Sequence, residues 1–187
     1  MIAPYSSPHP LEIAPVLQQK LFYRGRKFNF DVSRRQLPNG VVGDWELIQH
    51  PGGALVVPIT NEDQLVLVRQ YRFALAGRLL EFPAGTVEVG ENPAETVKRE
   101  LEEEAGYRGH TWQTIGQFPL APGYSDEIIY AYLATDLEKL PNPPAQDEDE
   151  DIEVVLMEFD QFETAIAKGE MNDAKSIASY FWMRHLL

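Results

Sequence analysis

Apolar residues along this chain fall mainly into short runs that favour β-strands. Aromatic and β-branched residues within 21–36 predict extended strands, a Pro-Asn-Gly turn signal follows, and residues 41–49 predict the returning strand. Two shorter apolar runs, 54–59 and 65–70, are separated by polar residues and predict a second hairpin. The proline-rich residues 1–20 predict an arm. Further strands are predicted at residues 111–118, 128–134 and 152–159.

Helix signals occupy three other segments. The strongest segment is Pro93–Ala105, because Asn92 can cap its start, Gly106 can end it and apolar residues recur along one face. Glu95 completes a capping-box pattern with Asn92. The other predicted helices are residues 160–168, capped by Asp160, and residues 173–187. Strands with inserted helices predict an α+β fold in which helices flank a mixed sheet.

Composition limits the class of protein. The chain has 187 residues, which suits one domain, and it contains no cysteine. The lack of cysteine excludes a disulfide scaffold, a thiolate metal site and a cysteine nucleophile, so we expect the reducing environment of the cytoplasm. No apolar run reaches the roughly 18 residues of a membrane helix. A net charge of −13 argues against a nucleic acid partner, because phosphate groups repel such a surface.

Glutamates crowd the end of the predicted helix Pro93–Ala105. Glu100, Glu103 and Glu104 share one face, where their charges repel one another and oppose the negative end of the helix dipole. One interpretation is a solvated acidic face. The other is a group of hard oxygen ligands for Mg²⁺ or Mn²⁺, with water and a substrate phosphate completing the coordination. The spacing of the glutamates alone leaves both interpretations open.

A longer pattern surrounds this helix. Gly85, five residues, Glu91, seven residues and the run from Arg99 to Gly106 resemble the signature of the Nudix hydrolases at every fixed position, and we call residues 85–107 the Nudix box. The resemblance implies an α/β/α sandwich and hydrolysis of a nucleoside diphosphate linked to another group. Arg99 is a candidate catalytic residue that can fix the loop by pairing with a carboxylate. The implied metal ligands are the Ala84 carbonyl, Glu100, Glu103 and Glu104.

Features outside the box resemble the ADP-ribose pyrophosphatases of this family. The strand that enters the box is similar, and Pro122 lies 16 residues after Gly106, a spacing that marks the subgroup. Arg72 corresponds to an arginine that contacts pyrophosphate or ribose. Trp45 corresponds to an aromatic residue that stacks on adenine, and a core tryptophan is the alternative. The implied substrate-binding residues are Trp45, Glu46, Arg72, Glu81, Gly85 and Glu127.

An acidic run at residues 147–151 precedes the strand predicted at 152–159. An EF-hand loop would need a glycine where Ile152 stands, so that interpretation is rejected. In ADP-ribose pyrophosphatases a loop at this place carries a glutamate proposed as the general base. The resemblance makes Glu148 the first candidate and Glu150 the second, and Glu103 of the box is the next residue to consider.

The resemblance also implies a reaction and an assembly. The expected reaction is Mg²⁺-dependent hydrolysis of ADP-ribose to AMP and ribose 5-phosphate, with Mn²⁺ as the alternative ion. Hydrolysis of another nucleotide sugar, such as GDP-mannose, and non-catalytic sensing of ADP-ribose are the competing functions. Residues 1–50 are expected to form a homodimer by exchanging strands, and residues 51–187 to form the hydrolase domain. The expected partner is a small nucleotide, and neither a nucleic acid nor a membrane is expected.

Overall fold

The computed structural model describes residues 12–88, 90–145 and 151–186. Its strands are β1 (Val16–Arg24), β2 (Asn29–Gln36), β3 (Val42–Gln49), β4 (Gly53–Pro58), β5 (Leu65–Arg72), β6 (Gly77–Glu81), β7 (Ala84–Thr86), β8 (Tyr107–Pro119), β9 (Ile128–Lys139) and β10 (Ile152–Met157). Its α-helices are α1 (Pro93–Ala105), α2 (Phe159–Lys168) and α3 (Ala174–Arg184).

The first three strands form an antiparallel sheet in the order β1-β2-β3. Antiparallel N-terminal strands were predicted, and the structure confirms them. Strand β1 begins at Val16, inside the segment predicted as an arm, because its backbone pairs with β2 from the Val16–Arg35 position onward. Every residue of β1 is exposed. The outer strand of this sheet therefore presents apolar side chains to solvent.

The remaining strands form two sheets. One sheet has the order β7-β4-β9-β8, with β4 and β9 parallel, and the other has the antiparallel order β10-β5-β6. Strand β4 is buried along its whole length. Because successive side chains of a strand point to opposite faces, Leu55 and Val57 pack into one apolar cluster, and Ala54 and Val56 pack into another.

Helices cover both faces of these sheets. Val97 and Leu101 of α1 join the cluster on one side, and Phe162 of α2 and Tyr180 of α3 join the cluster on the other side. The arrangement is an α/β/α sandwich with a mixed sheet, so the predicted α+β fold class is confirmed. Over the ranges that the structure describes, no helix is both long enough and apolar enough to cross a membrane.

The second predicted hairpin is wrong. Strands β4 and β5 lie in different sheets. Within the described residues, the pairing between these two segments is limited to the isolated bridge between Ile59 and Leu65. Strand β4 instead pairs in parallel with β9, far along the chain. Both runs are buried on two faces and are nearly continuous in apolar residues, so their pattern carries no information about which strands lie beside them.

The predicted bounds are correct for one helix and differ from the structure for the other two. Helix α1 has the predicted bounds. Helix α2 begins at Phe159, because Glu158 and Gln161 close a capping box, and Asp160 is therefore not the cap. Helix α3 is capped by Asp173, as its predicted start implies, but it ends at Arg184 rather than at residue 187.

Candidate active site

Local signals fix where the acidic helix α1 begins and ends. The Asn92 side chain accepts a hydrogen bond from the backbone N–H of Ala94 at 3.0 Å. Gly106 follows the helix with a φ of 70°, in the left-handed region that glycine adopts readily. Glu95, predicted to complete a capping box, pairs with Lys98 of the same helix at 2.9 Å. Because α1 ends at Ala105, its other glutamates lie in its last turns.

The strand that enters the box lies directly against two of these glutamates. The backbone N–H of Ala84 donates a hydrogen bond to Oε2 of Glu104 at 2.9 Å. A Cβ atom built on Gly85 would lie 1.9 Å from Oε1 of Glu100, so the Glu100 carboxylate fills the space that any larger residue would need. Glu100 and Glu104 are both buried. The structure thus brings Ala84, Gly85, Glu100 and Glu104 together, and their roles in binding a metal ion or substrate stay predictions.

Arg99 connects several carboxylates of the box. Its Nη1 atom lies 2.8 Å from Oε1 of Glu100 and 2.9 Å from Oε2 of Glu103, and its Nε atom lies 3.5 Å from Oε1 of Glu91. Burial alone would lower the pKa of Arg99, but the three carboxylates outweigh burial and raise that pKa. Arg99 therefore ties the loop at Glu91 to the acidic face of α1.

A second charged network lies beside the box. Arg72 donates from Nε and Nη2 to the two carboxylate oxygens of Glu81 at 2.8 and 3.1 Å. Glu81 also binds Lys175, which in turn contacts Asp173 at 3.0 Å. Burial alone would lower the pKa of Arg72, but Glu81, Glu104 and Asp173 raise it. Glu81 lies three residues before Ala84, whose N–H binds Glu104, so the segment that enters the box joins Arg72 to the box carboxylates.

Comparison with known proteins decides the family. A NUDIX domain matches residues 49–180. The chain belongs to the Nudix hydrolase family. The methanol dehydrogenase activator of Bacillus methanolicus is 35% identical over 168 residues, which cover 90% of this chain and 91% of that relative. The ADP-ribose pyrophosphatase of Bacillus subtilis (strain 168) is 35% identical over 166 residues, which cover 89% of each chain.

A solved structure supports the fold of this Nudix hydrolase. The crystal structure of an ADP compounds hydrolase aligns with a TM-score of 0.80 and covers 96% of both chains. Its sequence is 24% identical to this chain, so the likeness is evidence for the fold alone. The predicted membership of the Nudix hydrolases is confirmed, and so is the resemblance to ADP-ribose pyrophosphatases of that family.

Nudix hydrolases generally use a divalent metal ion, and the donor atoms of this box suit one. The candidate ligands are carboxylate and carbonyl oxygens, which hard divalent cations prefer. Among the described residues, no group of three or more His, Asp or Glu side chains lies close enough together to hold an ion. The carboxylates of Glu100 and Glu103 both bind Nη1 of Arg99. The residues that could hold an ion are Ala84, Glu100, Glu103 and Glu104.

Trp45 and Glu46 lie on β3, in the N-terminal sheet. The ring of Trp45 lies along its own strand, and a Cβ atom built on Gly43 would be 2.9 Å from it. Trp45 is half-buried and belongs to neither apolar core cluster of the described residues, which weighs against the alternative of a core tryptophan. Glu46 is exposed. Both side chains are therefore accessible for a ligand.

Glu127 lies next to the loop that begins the box. Its Oε1 atom is 3.6 Å from Nδ1 of His50, which also accepts a hydrogen bond from the backbone N–H of Gly52 at 3.1 Å. A Cβ atom built on Gly53 would lie 3.7 Å from Oε1 of Glu127 and 3.6 Å from the carbonyl oxygen of Gly85. Glu127 and Gly85 therefore flank the same small residue, and His50 is a neighbour that the sequence did not reveal.

The two candidate bases lie outside the described residues, and one residue near the box had no predicted role. The candidate bases Glu148 and Glu150 lie outside the residues that the structure describes, so their role stays a prediction. Lys175, which binds Glu81 and Asp173, was not among the predicted site residues. Its position in the first turn of α3 could have indicated a carboxylate partner, because a lysine at the positive end of a helix dipole is disfavoured unless a carboxylate binds it.

Proposed function

We propose that this Nudix hydrolase cleaves ADP-ribose, with Mg²⁺, to AMP and ribose 5-phosphate. The observation that carries the proposal is that Arg72 binds Glu81, three residues before Ala84, whose backbone N–H binds the candidate metal ligand Glu104. A guanidinium suits phosphate oxygens because it can donate two parallel hydrogen bonds. ADP-ribose is chosen among the nucleoside diphosphate compounds because the Bacillus subtilis relative bears that name.

Hydrolysis of a pyrophosphate depends on positioning and charge neutralisation more than on covalent catalysis. Glu100, Glu103, Glu104 and the Ala84 carbonyl would hold the divalent ion, which we take to be Mg²⁺, with Mn²⁺ as the alternative. When bound there, such an ion neutralises charge on the phosphate oxygens and activates the attacking water. Arg99 holds the acidic face of α1 against the loop, and Gly85 leaves the room that the Glu100 carboxylate needs.

The attacking water must lose a proton to a nearby acceptor. Glu148 is the first candidate for this base and Glu150 is the second. Glu103 is the next candidate, but its carboxylate already accepts a hydrogen bond from Arg99 at 2.9 Å and is less available to the attacking water. We therefore assign the base to the acidic run rather than to the box.

The nucleotide would extend from the box towards the N-terminal sheet. Trp45 would stack on the adenine, and Glu46 would accept a hydrogen bond from the base. Glu127, beside Gly85, would contact the part of the substrate that lies nearest the box. A half-buried tryptophan offers the flat surface that stacking requires, and a base stacked on an aromatic side chain gains roughly 1–3 kcal/mol in nucleic acid complexes.

The exposed strand β1 supports the proposed homodimer. Its apolar side chains include Leu21 and Tyr23, of which Tyr23 is 64% exposed. An edge strand with an apolar surface can pair with a strand of another chain. Residues 1–50 would therefore form the dimer, and residues 51–187 would form the hydrolase domain. A Leu21→Asp variant should elute as a monomer in size-exclusion chromatography with light scattering.

The cytoplasmic location stays a prediction that rests on the cysteine-free composition.

The function is tested with a panel of nucleoside diphosphate compounds and Mg²⁺. Released phosphate is measured after phosphatase treatment, and AMP and ribose 5-phosphate are identified by mass spectrometry. The proposal predicts that ADP-ribose has the highest kcat/KM of the panel. A clear preference for GDP-mannose would replace ADP-ribose by the alternative nucleotide sugar, and no turnover of any compound would overturn the proposed activity.

A second candidate follows from the relative named as a methanol dehydrogenase activator, which is as similar as the pyrophosphatase. A regulator that binds ADP-ribose without cleaving it would show saturable binding in calorimetry and no product. Turnover of ADP-ribose that depends on the box carboxylates would exclude a purely non-catalytic sensor.

A further inference from the structure

The first turn of α3 is bound to the residues that lead from β6 into the Nudix box. Asp173, the cap of α3, accepts hydrogen bonds from the backbone N–H and the hydroxyl of Ser176 at 3.0 and 2.5 Å. The Ser176 hydroxyl oxygen accepts a hydrogen bond from the backbone N–H of Phe82 at 2.9 Å. Phe82 lies two residues before Ala84. The start of α3 is thereby fixed in position relative to the box.

Lys175 completes this arrangement. Its side chain is 12% exposed, and it contacts the carboxylates of both Glu81 and Asp173. A poorly solvated ammonium group is stable when carboxylates neutralise it, and these contacts also offset the unfavourable helix dipole. The network contains the cations of Arg72 and Lys175 and the carboxylates of Glu81 and Asp173, so its charges balance.

Glu81 is the group through which Lys175 reaches Arg72. Its side chain is 2% exposed, and it accepts two hydrogen bonds from one edge of the Arg72 guanidinium. A guanidinium has five N–H donors, so three of them, two on Nη1 and one on Nη2, are not used by Glu81. The Arg72 side chain is 37% exposed, and this other edge can therefore meet a phosphate group.

Loss of the Lys175 charge would disturb that orientation. Glu81 and Asp173 would then face one cation, and in a poorly solvated site the excess negative charge would draw the Arg72 guanidinium towards both carboxylates. Lys175 would thus affect substrate binding without touching the substrate.

We propose that Lys175 is a positioning residue that balances the charges of Glu81 and Asp173 and so leaves the outer edge of Arg72 directed at the pyrophosphate of the substrate. The inference rests on the proposed function, because it takes Arg72 as a contact for the substrate pyrophosphate. It extends that function by giving α3 a part in substrate binding.

A double-mutant cycle tests this inference. Lys175→Met should lower kcat/KM for ADP-ribose by about tenfold, mainly through KM, and Lys175→Arg should restore it to within about threefold. Arg72→Lys cannot form the two-bond contact with Glu81, so adding Lys175→Met to Arg72→Lys should change kcat/KM by less than about twofold. The control is Lys168→Met at the exposed end of α2, which removes the same charge and should leave KM unchanged.

Two outcomes oppose the inference. If the effects of Lys175→Met and Arg72→Lys multiply, Lys175 acts independently of Arg72 and the inference is overturned. If Lys175→Met does not fold, Lys175→Gln replaces it in the cycle. Failure of both neutral variants to fold, while Lys175→Arg folds, would assign Lys175 to the stability of α3 alone.

The same experiment separates this inference from the proposed function. If the wild type does not hydrolyse ADP-ribose, the proposed function fails, and the cycle is repeated with the panel compound that is hydrolysed. If no compound is hydrolysed, the cycle is read from calorimetric binding of inorganic pyrophosphate. Coupling between Lys175 and Arg72 supports the inference in each case, and independent effects overturn it.

Discussion

Replacement of Gly85 by alanine would move a candidate metal ligand without removing any charge. The new Cβ atom would lie 1.9 Å from Oε1 of Glu100 and 2.5 Å from its Cγ atom, whereas ordinary contacts begin at 3.4 Å. The Glu100 carboxylate must therefore move by about 1.5 Å or adopt another rotamer. The φ of Gly85 is not in the left-handed region, so alanine can adopt this backbone conformation without strain.

The expected effect is large because catalysis depends on ligand position. A misplacement of about 1 Å can cost 100-fold in rate, so Gly85→Ala should lower kcat by at least about 100-fold, or roughly 2.7 kcal/mol in the activation barrier. The affinity for Mn²⁺, measured by calorimetric titration, should fall as well. The assay is phosphate release from ADP-ribose over a range of Mg²⁺ concentrations.

The matched control is Gly123→Ala, whose added Cβ atom meets no heavy atom within 4 Å. This variant should keep its turnover, and both variants should unfold near the wild-type temperature in circular dichroism. If Gly85→Ala keeps wild-type kcat and Mn²⁺ affinity, the position of the Glu100 carboxylate does not matter and the metal assignment is wrong. If Gly85→Ala unfolds far below the control, lost folding rather than a displaced ligand explains its inactivity.

The remaining predictions concern single groups. Glu104→Gln keeps an acceptor for the Ala84 N–H but loses a charge, so kcat should fall at least about 100-fold with the fold retained, and near-normal turnover at saturating Mg²⁺ would contradict the assignment. Trp45→Ala should raise KM for ADP-ribose about tenfold with a smaller change in kcat, whereas unfolding with an unchanged KM would make Trp45 structural. Glu148→Gln should lower kcat strongly at nearly constant KM, and wild-type turnover would remove it as the base. Burial alone would raise the pKa of Glu81, but Lys175 and Arg72 hold that pKa below its ordinary 4.5. The stabilisation is therefore present above pH 4.5 and lost as the pH falls through the lower folded value, so the Tm difference between wild type and Lys175→Met should shrink in acid.

Several parts of this structure could be predicted because their causes lie close together in the chain. Helix α1 has its cap, its apolar stripe and its glycine stop within 15 residues, from Asn92 to Gly106, and its bounds were predicted correctly. The signature of the box likewise indicated that Arg99 pairs with a neighbouring carboxylate, and Glu103, four residues later on the same helix, lies 2.9 Å from it.

Other parts depended on segments far apart in the sequence. Strands β4 and β5 are neighbours in the chain, but each found partners elsewhere, because a strand buried on both faces carries no pattern that selects a neighbour. The burial of Glu81 and its contact with Lys175 join residues 94 positions apart. The unfavourable position of Lys175 in the helix dipole indicates that it needs a carboxylate partner. No feature close to Lys175 in the sequence identifies Glu81 as that partner.

The sequence by itself determined the family and the acidic helix, since each follows from backbone preferences and side-chain chemistry within one short segment, whereas the group of oxygen ligands stays a prediction. The tertiary structure alone decided which carboxylates Arg99 binds, namely Glu91, Glu100 and Glu103, and that Arg72 binds Glu81 in a separate charged network with Lys175. The physical reason is that local propensities act over a few residues, whereas the orientation of a charged side chain depends on every charge that folding brings near it.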